Sequence, residues 1–109
     1  MKVLFDQGTP APLKDLLPNH DVLTAYELGW STLKNGELLK AAESNGFEVF
    51  ITTDTNLRYQ QNLIQRKIAI VSLSTTSWPR IKQHASLIVT AVTNSVNNSF
   101  IEVNIPFND

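Results

Sequence analysis

Apolar positions along the 109-residue chain fall into short runs that are separated by polar stretches. Such runs, rich in β-branched and other apolar residues but too short for helices, predict strands. Four of them are nearly continuous, which is typical of strands buried on both faces of a parallel sheet, whereas the last alternates like a half-exposed edge strand. The predicted strands are Lys2–Phe5, Asp21–Ala25, Phe47–Thr53, Ile68–Val71 and Phe100–Ile105.

The segments between these strands carry helix signals. Thr9 before Pro10 is typical of an N-cap followed by proline in the first turn, and Asn35 is a good N-cap for a helix that stops at Gly46. Apolar residues at helical spacing indicate the longest helix near the carboxyl end. The predicted helices are Pro10–Leu17, Gly36–Asn45, Thr55–Gln65 and Trp78–Val96.

Strands and helices thus alternate about five times along the chain. This order predicts the α/β class, as a three-layer α/β/α fold with a mostly parallel central sheet of about five strands. The chain has no linker, repeat or low-complexity segment. We therefore expect residues 1–109 to form a single domain.

Composition narrows the function classes. Ten acidic and nine basic residues give a net charge of −1, so the chain lacks the strongly basic balance of many nucleic-acid-binding domains. The absence of cysteine excludes disulfides and thiolate zinc sites, and four scattered glycines form no phosphate-binding loop. No segment is apolar enough to span a membrane, so we expect a cytoplasmic protein with no membrane partner.

Two acidic residues follow predicted core strands. Asp6 follows the first strand and Asp54 the third, and in open α/β sheets ligands bind beyond the carboxyl ends of the strands. Two neighbouring carboxylates repel each other unless a cation or proton relieves them, and oxygen ligands suit Mg²⁺ or Mn²⁺. The structural alternatives stay open: Asp54 as a helix N-cap, Asp6 as a turn residue, and Glu37 as a first-turn acid favoured by the helix dipole.

A polar segment follows Asp54. Arg58, Tyr59 and Gln61 predict either a solvated helix face or contacts with a nucleic-acid substrate through phosphate binding and stacking. Trp30 and Trp78 are interpreted as packing residues.

Three segments of the chain resemble one family. They are Val3–Gln7, the stretch Glu27–Trp30 continued by Lys34–Leu39, and the most specific one, Thr52–Leu63 with the sequence TTDTNLRYQQNL. Together with Ile68–Leu73 and Trp78-Pro79, they are similar to a family of small PIN-like prokaryotic proteins. This resemblance covers nearly the whole chain.

The resemblance implies a PIN-like fold and an Mg²⁺- or Mn²⁺-dependent ribonuclease, in many members the toxin paired with a small antitoxin. It implies Asp6 and Asp54 as catalytic acids that hold the metal together with Glu37, and RNA as the substrate. The chain is also predicted to be able to form a homodimer through the strand Phe100–Ile105, since an unpaired edge strand tends to pair with a strand of another molecule.

The chain departs from the active pattern at three amides. Asn35, Asn56 and Gln7 stand where relatives carry acids, so Asn35 and Asn56 are expected as weak ligands or as supports of the acids. One alternative is therefore a PIN-like binding protein with weakened catalysis. Another is a receiver-like phosphoacceptor domain with Asp54 as its acceptor, although Gln7 is no second acid and no lysine follows the last strand.

Overall fold

A computed structural model of the chain describes residues 1–57 and 67–107. Within them lies one five-stranded sheet in which every strand pair is parallel. Its strands are β1 (Lys2–Phe5), β2 (Asp21–Thr24), β3 (Val49–Thr52), β4 (Ala69–Leu73) and β5 (Phe100–Val103). The five strands expected from the apolar runs are confirmed, with ends shifted by one or a few residues.

Helical segments connect these strands. They are a 3₁₀ helix at Ala11–Leu16, α1 (Asn35–Ser44), α2 (Trp78–Gln83) and α3 (Ala85–Thr93). The first was predicted as an α-helix that Thr9 caps. It is instead a 3₁₀ helix, because its backbone hydrogen bonds reach back three residues: the Leu13 N–H donates to the Pro10 carbonyl and the Leu17 N–H to the Lys14 carbonyl, both at 3.1 Å. The predicted helix Thr55–Gln65 lies outside the described residues from position 58 onward.

Two further helix boundaries differ from the prediction. Lys34, not Asn35, is the N-cap of α1, and the Asn35 side chain is used elsewhere. The single long helix expected near the carboxyl end is interrupted at His84, whose backbone angles (φ −117°, ψ 28°) are not helical. The stop at Gly46 is confirmed, since its φ of 78° suits a glycine that ends a helix.

The sheet is covered by helices on both faces. Alternate residues of β1 point to opposite sides, so Val3 and Phe5 join a core with the 3₁₀ helix, α2 and α3, whereas Leu4 joins a core with α1. The buried residues expected on α1 are confirmed as Leu38, Leu39 and Ala42. The three-layer α/β/α architecture follows from these two cores. Among the described residues, no helix is long and apolar enough to cross a membrane.

The strand order is β2-β1-β3-β4-β5: the chain moves outward from β1 to β2 and then crosses back over β1 to β3, so the switch in strand order lies between β1 and β3. Connections from β1 to β2 and from β2 to β3 therefore leave on opposite sides, and a crevice opens beyond the carboxyl ends of β1 and β3. The residues that follow these two strands, Asp6 and Thr53-Asp54, stand at this crevice.

Candidate functional site

Asp6 is buried at the edge of the sheet where the carboxyl ends of the parallel strands lie, called here the carboxyl edge. The residue is only 6% exposed, and both of its carboxylate oxygens accept hydrogen bonds. Oδ1 accepts from the Thr9 amide at 2.9 Å and the Thr9 hydroxyl at 2.6 Å. Oδ2 accepts from the Thr52 hydroxyl at 2.6 Å and, at 3.4 Å, from the Thr53 amide. A buried charge needs such donors, and here they tie the loop after β1 to the end of β3.

Thr52 connects the two predicted catalytic acids. Its fully buried hydroxyl donates to Asp6 Oδ2 and accepts the Asp54 backbone N–H at 3.0 Å. The register explains this, because Phe5 pairs with Ile51, which places the following residues, Asp6 and Thr52, side by side. The structure therefore brings Asp6 and Asp54 to neighbouring positions on the same edge of the sheet.

Asp54 has the capping geometry that the sequence left open, and it also has a second partner. Its Oδ1 accepts the backbone N–H of Asn56 at 2.9 Å, two residues on, in the manner of a helix N-cap. Its Oδ2 accepts the amide Nδ2 of Asn35 at 2.6 Å. Asn35 thus acts as a donor to the carboxylate, at the position where an acid would repel it.

Glu37 and Gln7 serve the loop before α1. Glu37 is exposed and its Oε1 accepts the backbone N–H of Lys34 at 3.3 Å, which closes a capping box. Gln7 donates its amide to the carbonyls of Ser31 at 3.1 Å and Leu33 at 2.8 Å. The structure therefore directs the Glu37 carboxylate to a backbone N–H, whereas its proposed role is as a metal ligand beside Asp6 and Asp54.

Of the other predicted site residues, the structure describes only Asn56. Asn56 is exposed, and its backbone is bonded to Asp54. Arg58, Tyr59 and Gln61 lie outside the described residues. Across residues 1–57 and 67–107, no three His, Cys, Asp or Glu side chains form a group that could hold a metal ion.

Gly8 allows the loop after β1 to pass close to β3. A Cβ at this position would overlap the Thr53 hydroxyl, so alanine forces the Thr53 side chain or the loop to move. We expect Gly8→Ala to lower the free energy of unfolding by about 1–2 kcal/mol through overpacking. In a Thr53→Ala background the same change is expected to cost less than about 0.5 kcal/mol, because the overlapping atom is gone. Urea unfolding of the four proteins checks this, and an equal loss in both backgrounds contradicts the contact.

A cleft of about 640 Å³ opens beside Asp6 and holds residues that the sequence analysis missed. Lys14 bonds both carboxylate oxygens of Glu27 at its rim, at 2.9 and 3.0 Å. This bond, followed by the Thr24 backbone N–H, lowers the pKa of Glu27. Tyr26 and Trp78 also line the cleft.

One contact at this cleft, between Thr24 and Glu27, could have been predicted from the sequence. Thr24 and Glu27 have the three-residue spacing of a capping box, which indicates the start of a helical turn and a reciprocal bond between these two residues. Nothing local indicated Thr52 or Lys14, since their partners lie far away in the chain. Trp30 packs edge-on against Phe47, with ring centroids 6.2 Å apart, as predicted for a packing residue. Trp78 packs against the core and lines the cleft as well.

Comparison with protein-family models, with curated proteins and with solved structures found no match to this chain.

Proposed function

We propose that the protein is a PIN-like ribonuclease that depends on Mg²⁺ or Mn²⁺ and uses Asp6 and Asp54. The observation that supports this most directly is the placement of the two carboxylates. They follow neighbouring parallel strands at the switch in strand order, joined through the Thr52 hydroxyl. This is the edge at which open α/β sheets bind ligands. The family and the choice of RNA rest on the sequence resemblance.

The donor set at this edge fits a magnesium-type ion. Such an ion keeps several waters and is usually held by one or two carboxylates together with substrate phosphates. The Thr9 hydroxyl has a second acceptor, the Ile51 carbonyl at 3.1 Å, so it can turn away and leave Asp6 Oδ1 with one donor fewer. Asn35 can present its amide oxygen after a side-chain rotation, which makes it a weak third ligand beside Asp54. Glu37 would need to leave the Lys34 N–H to take part.

The reaction proposed is hydrolysis of an RNA phosphodiester. A water oxygen bonds to phosphorus, the P–O bond to the leaving ribose breaks, and the proton released by water neutralises the leaving oxygen. The bound ion supplies positive charge that stabilises the phosphate in the transition state. The Thr9 N–H and the Thr52 hydroxyl hold the Asp6 carboxylate in place, and the Asn56 N–H holds Asp54. Arg58, Tyr59 and Gln61 are proposed to bind the substrate backbone and bases.

The proposed protein partner is assigned to β5 and the neighbouring helix α3. A toxin that pairs with a small antitoxin, or with a second copy of itself, needs an apolar surface. Leu87 on α3 is 42% exposed and lies beside Ile101 and Val103 of β5, which is an edge strand of the sheet. We propose that this region binds a small antitoxin or a second copy of the chain.

The nuclease proposal predicts cleavage of single-stranded RNA in Mn²⁺ or Mg²⁺ and none in EDTA. We expect Asp54→Asn to lower the cleavage rate by about a hundredfold or more, since a ligand to the ion loses its charge. Asp15→Asn, the same change at an exposed aspartate, is expected to cleave like the wild type. A gel assay over an RNA panel measures this, with circular dichroism as the check on folding. If the RNA stays intact with both ions and calorimetry detects no metal binding, the proposal fails.

A specific observation favours a binding protein as the second candidate. The Asn35 amide and the Asn56 N–H already donate to Asp54, and four donors already bond Asp6, so both carboxylates have hydrogen-bond partners without an ion. Binding of RNA or of a partner in EDTA, without cleavage in either ion, distinguishes this candidate from the nuclease.

The strand order also occurs in receiver-like domains. Two residues required for phosphoacceptor chemistry, a second acid beside Asp6 and a lysine after the last strand, are replaced in this chain by other residues. Gln7, in place of a second acid, is bonded to the loop before α1. Asn104 and Ile105 follow β5 where a lysine would be needed. We therefore do not propose a phosphoacceptor function.

A further inference from the structure

The cleft beside Asp6 lies between three segments that follow strands. Its walls come from the loop after β1, the turn after β2 and the segment that leads into α2. Its volume of about 640 Å³ is in the range of small-molecule and nucleotide sites, and its surface is mostly apolar. Asp6, at the base, belongs both to this cleft and to the proposed nuclease site.

Tyr26 lines the cleft with an exposed ring. The residue is 82% exposed. Among the residues that the structure describes, none stacks on this ring or bonds its hydroxyl. The ring is therefore accessible to a ligand in the cleft, with no contact to the described residues that would have to break first.

The backbone that carries Tyr26 is held firmly. Thr24 and Glu27 bond each other reciprocally, with the Thr24 N–H donating to Glu27 Oε1 at 3.0 Å and the Glu27 N–H to Thr24 Oγ1 at 3.1 Å. The Ala25 N–H donates to the Phe5 carbonyl at 2.9 Å, which ties the turn to β1. Lys14 fixes Glu27 from the 3₁₀ helix. An exposed ring on a fixed turn is preorganised to stack on a ligand, because little backbone freedom is lost on binding.

A second aromatic ring contributes to the same cleft. Trp78 opens α2 and is half-buried, with part of its ring packed on the core and part lining the cleft. Aromatic faces of this kind bind the bases of single-stranded nucleic acids, whose π-faces are exposed when they are not paired.

Charge at the cleft argues for stacking as the source of affinity. The basic residue that lines it, Lys14, is paired with Glu27, and Asp6 is negative. The lining therefore offers no unpaired cation to hold the phosphate backbone by itself. A ligand recognised through flat apolar faces fits this surface better than one recognised through its charge.

We propose that this cleft binds one unpaired base of single-stranded RNA, with Tyr26 as the principal stacking residue and Trp78 as an additional aromatic wall. The inference rests on the proposed function, since it places the base next to the carboxylate that would act on the adjoining phosphate. It assigns the selection of single-stranded over double-stranded RNA to the turn after β2.

The direct test measures binding of an uncharged, single-stranded methylphosphonate oligonucleotide by fluorescence anisotropy in EDTA. This probe needs no metal to offset backbone charge and offers no normal phosphodiester to cleave. We expect Tyr26→Ala to weaken binding roughly 5- to 150-fold, the range for losing one stacked base. Tyr26→Phe, which keeps the ring, is expected to bind like the wild type, and so is Phe107→Ala.

Phe107 makes a matched control because it is also 82% exposed but packs against Arg80, away from the cleft. Pairing the probe with its complement is expected to weaken binding at least as much as Tyr26→Ala, because the base faces become inaccessible. The proposal is overturned if the wild type does not bind the probe, if Tyr26→Ala binds as tightly as the wild type, or if the duplex binds equally well.

A second assay separates this inference from the nuclease proposal. If the wild type binds the probe through Tyr26 but cleaves no RNA in Mn²⁺, the base site is supported and the nuclease proposal fails. If the wild type cleaves RNA and Tyr26→Ala cleaves it with unchanged KM and kcat, the nuclease proposal stands and the base site is wrong.

Discussion

Asp6→Ala is expected to lower the free energy of unfolding by about 3 kcal/mol, with a matching fall in the urea midpoint and no change in the m-value. The loss comes from donors that the carboxylate satisfies inside the protein. Without it, the buried N–H of Thr9 keeps only its longer bond to the backbone carbonyl of residue 6, at 3.3 Å, and the Thr52 hydroxyl loses its acceptor. Each unsatisfied buried donor costs about 1–3 kcal/mol, and the Thr9 hydroxyl lessens the total by turning to the Ile51 carbonyl.

The conservative variant separates charge from volume. Asp6→Asn keeps the shape but places an amide NH₂ against donors, so we expect a smaller loss of about 1–2 kcal/mol. Asp15→Ala removes an exposed carboxylate and is expected to change stability by less than about 0.5 kcal/mol. Asp6→Ala with wild-type stability would show that these hydrogen bonds do not hold the loop after β1 to β3.

A loss of stability in Asp6 variants would affect the interpretation of their RNA cleavage rates. A loss of cleavage in an Asp6 variant has two sources, because the same carboxylate is proposed to bind the ion and is also bonded to both Thr9 and Thr52. Asp54 is less buried and is bonded to Asn35 and to the Asn56 backbone. Asp54→Asn is therefore the cleaner variant for activity, and Asp6→Ala the more informative one for stability.

The fold was largely predictable because its signals are local. Continuous apolar runs such as Val49–Thr52 and Ala69–Leu73 identify buried strands, and the spacing of Leu38, Leu39 and Ala42 identifies the buried face of α1. The strand order was not predictable from these signals, because it depends on which helices cover which face.

The candidate site was predictable in its residues but not in their partners. Asp6 and Asp54 could be placed at strand ends by counting, yet the Thr52–Asp6 bond joins residues 46 apart and the Asn35–Asp54 bond joins residues 19 apart. Thr9 and Asn35 were interpreted as helix caps because short polar side chains before a helix usually cap it. Both instead donate to a carboxylate that the folded chain brings close, which no local pattern reveals.

Asn35→Asp is expected to strengthen Mn²⁺ binding about tenfold or more, which is equivalent to about 1.4 kcal/mol. In the wild type the Asn35 amide lies 2.6 Å from Asp54 Oδ2 and donates to it. Replacing that donor by a carboxylate puts two negative charges in contact, which favours uptake of a cation between them. Calorimetric titration with Mn²⁺ measures the change, and Asn97→Asp, the same charge change at an exposed position, is expected to have no effect.

The same variant should show opposite effects on stability with and without the ion. In EDTA, Asn35→Asp is expected to lower the free energy of unfolding by about 2 kcal/mol, since a hydrogen bond to a charged group is replaced by repulsion. In excess Mn²⁺ the loss should be recovered, because an ion that binds only the folded state stabilises it by mass action. If Mn²⁺ restores no stability to Asn35→Asp, the edge formed by Asp6 and Asp54 does not hold a divalent ion even with an added acid. The binding-protein candidate would then explain the site better than the nuclease, because the amide at position 35 would be part of a metal-free structure and not a weakened ligand.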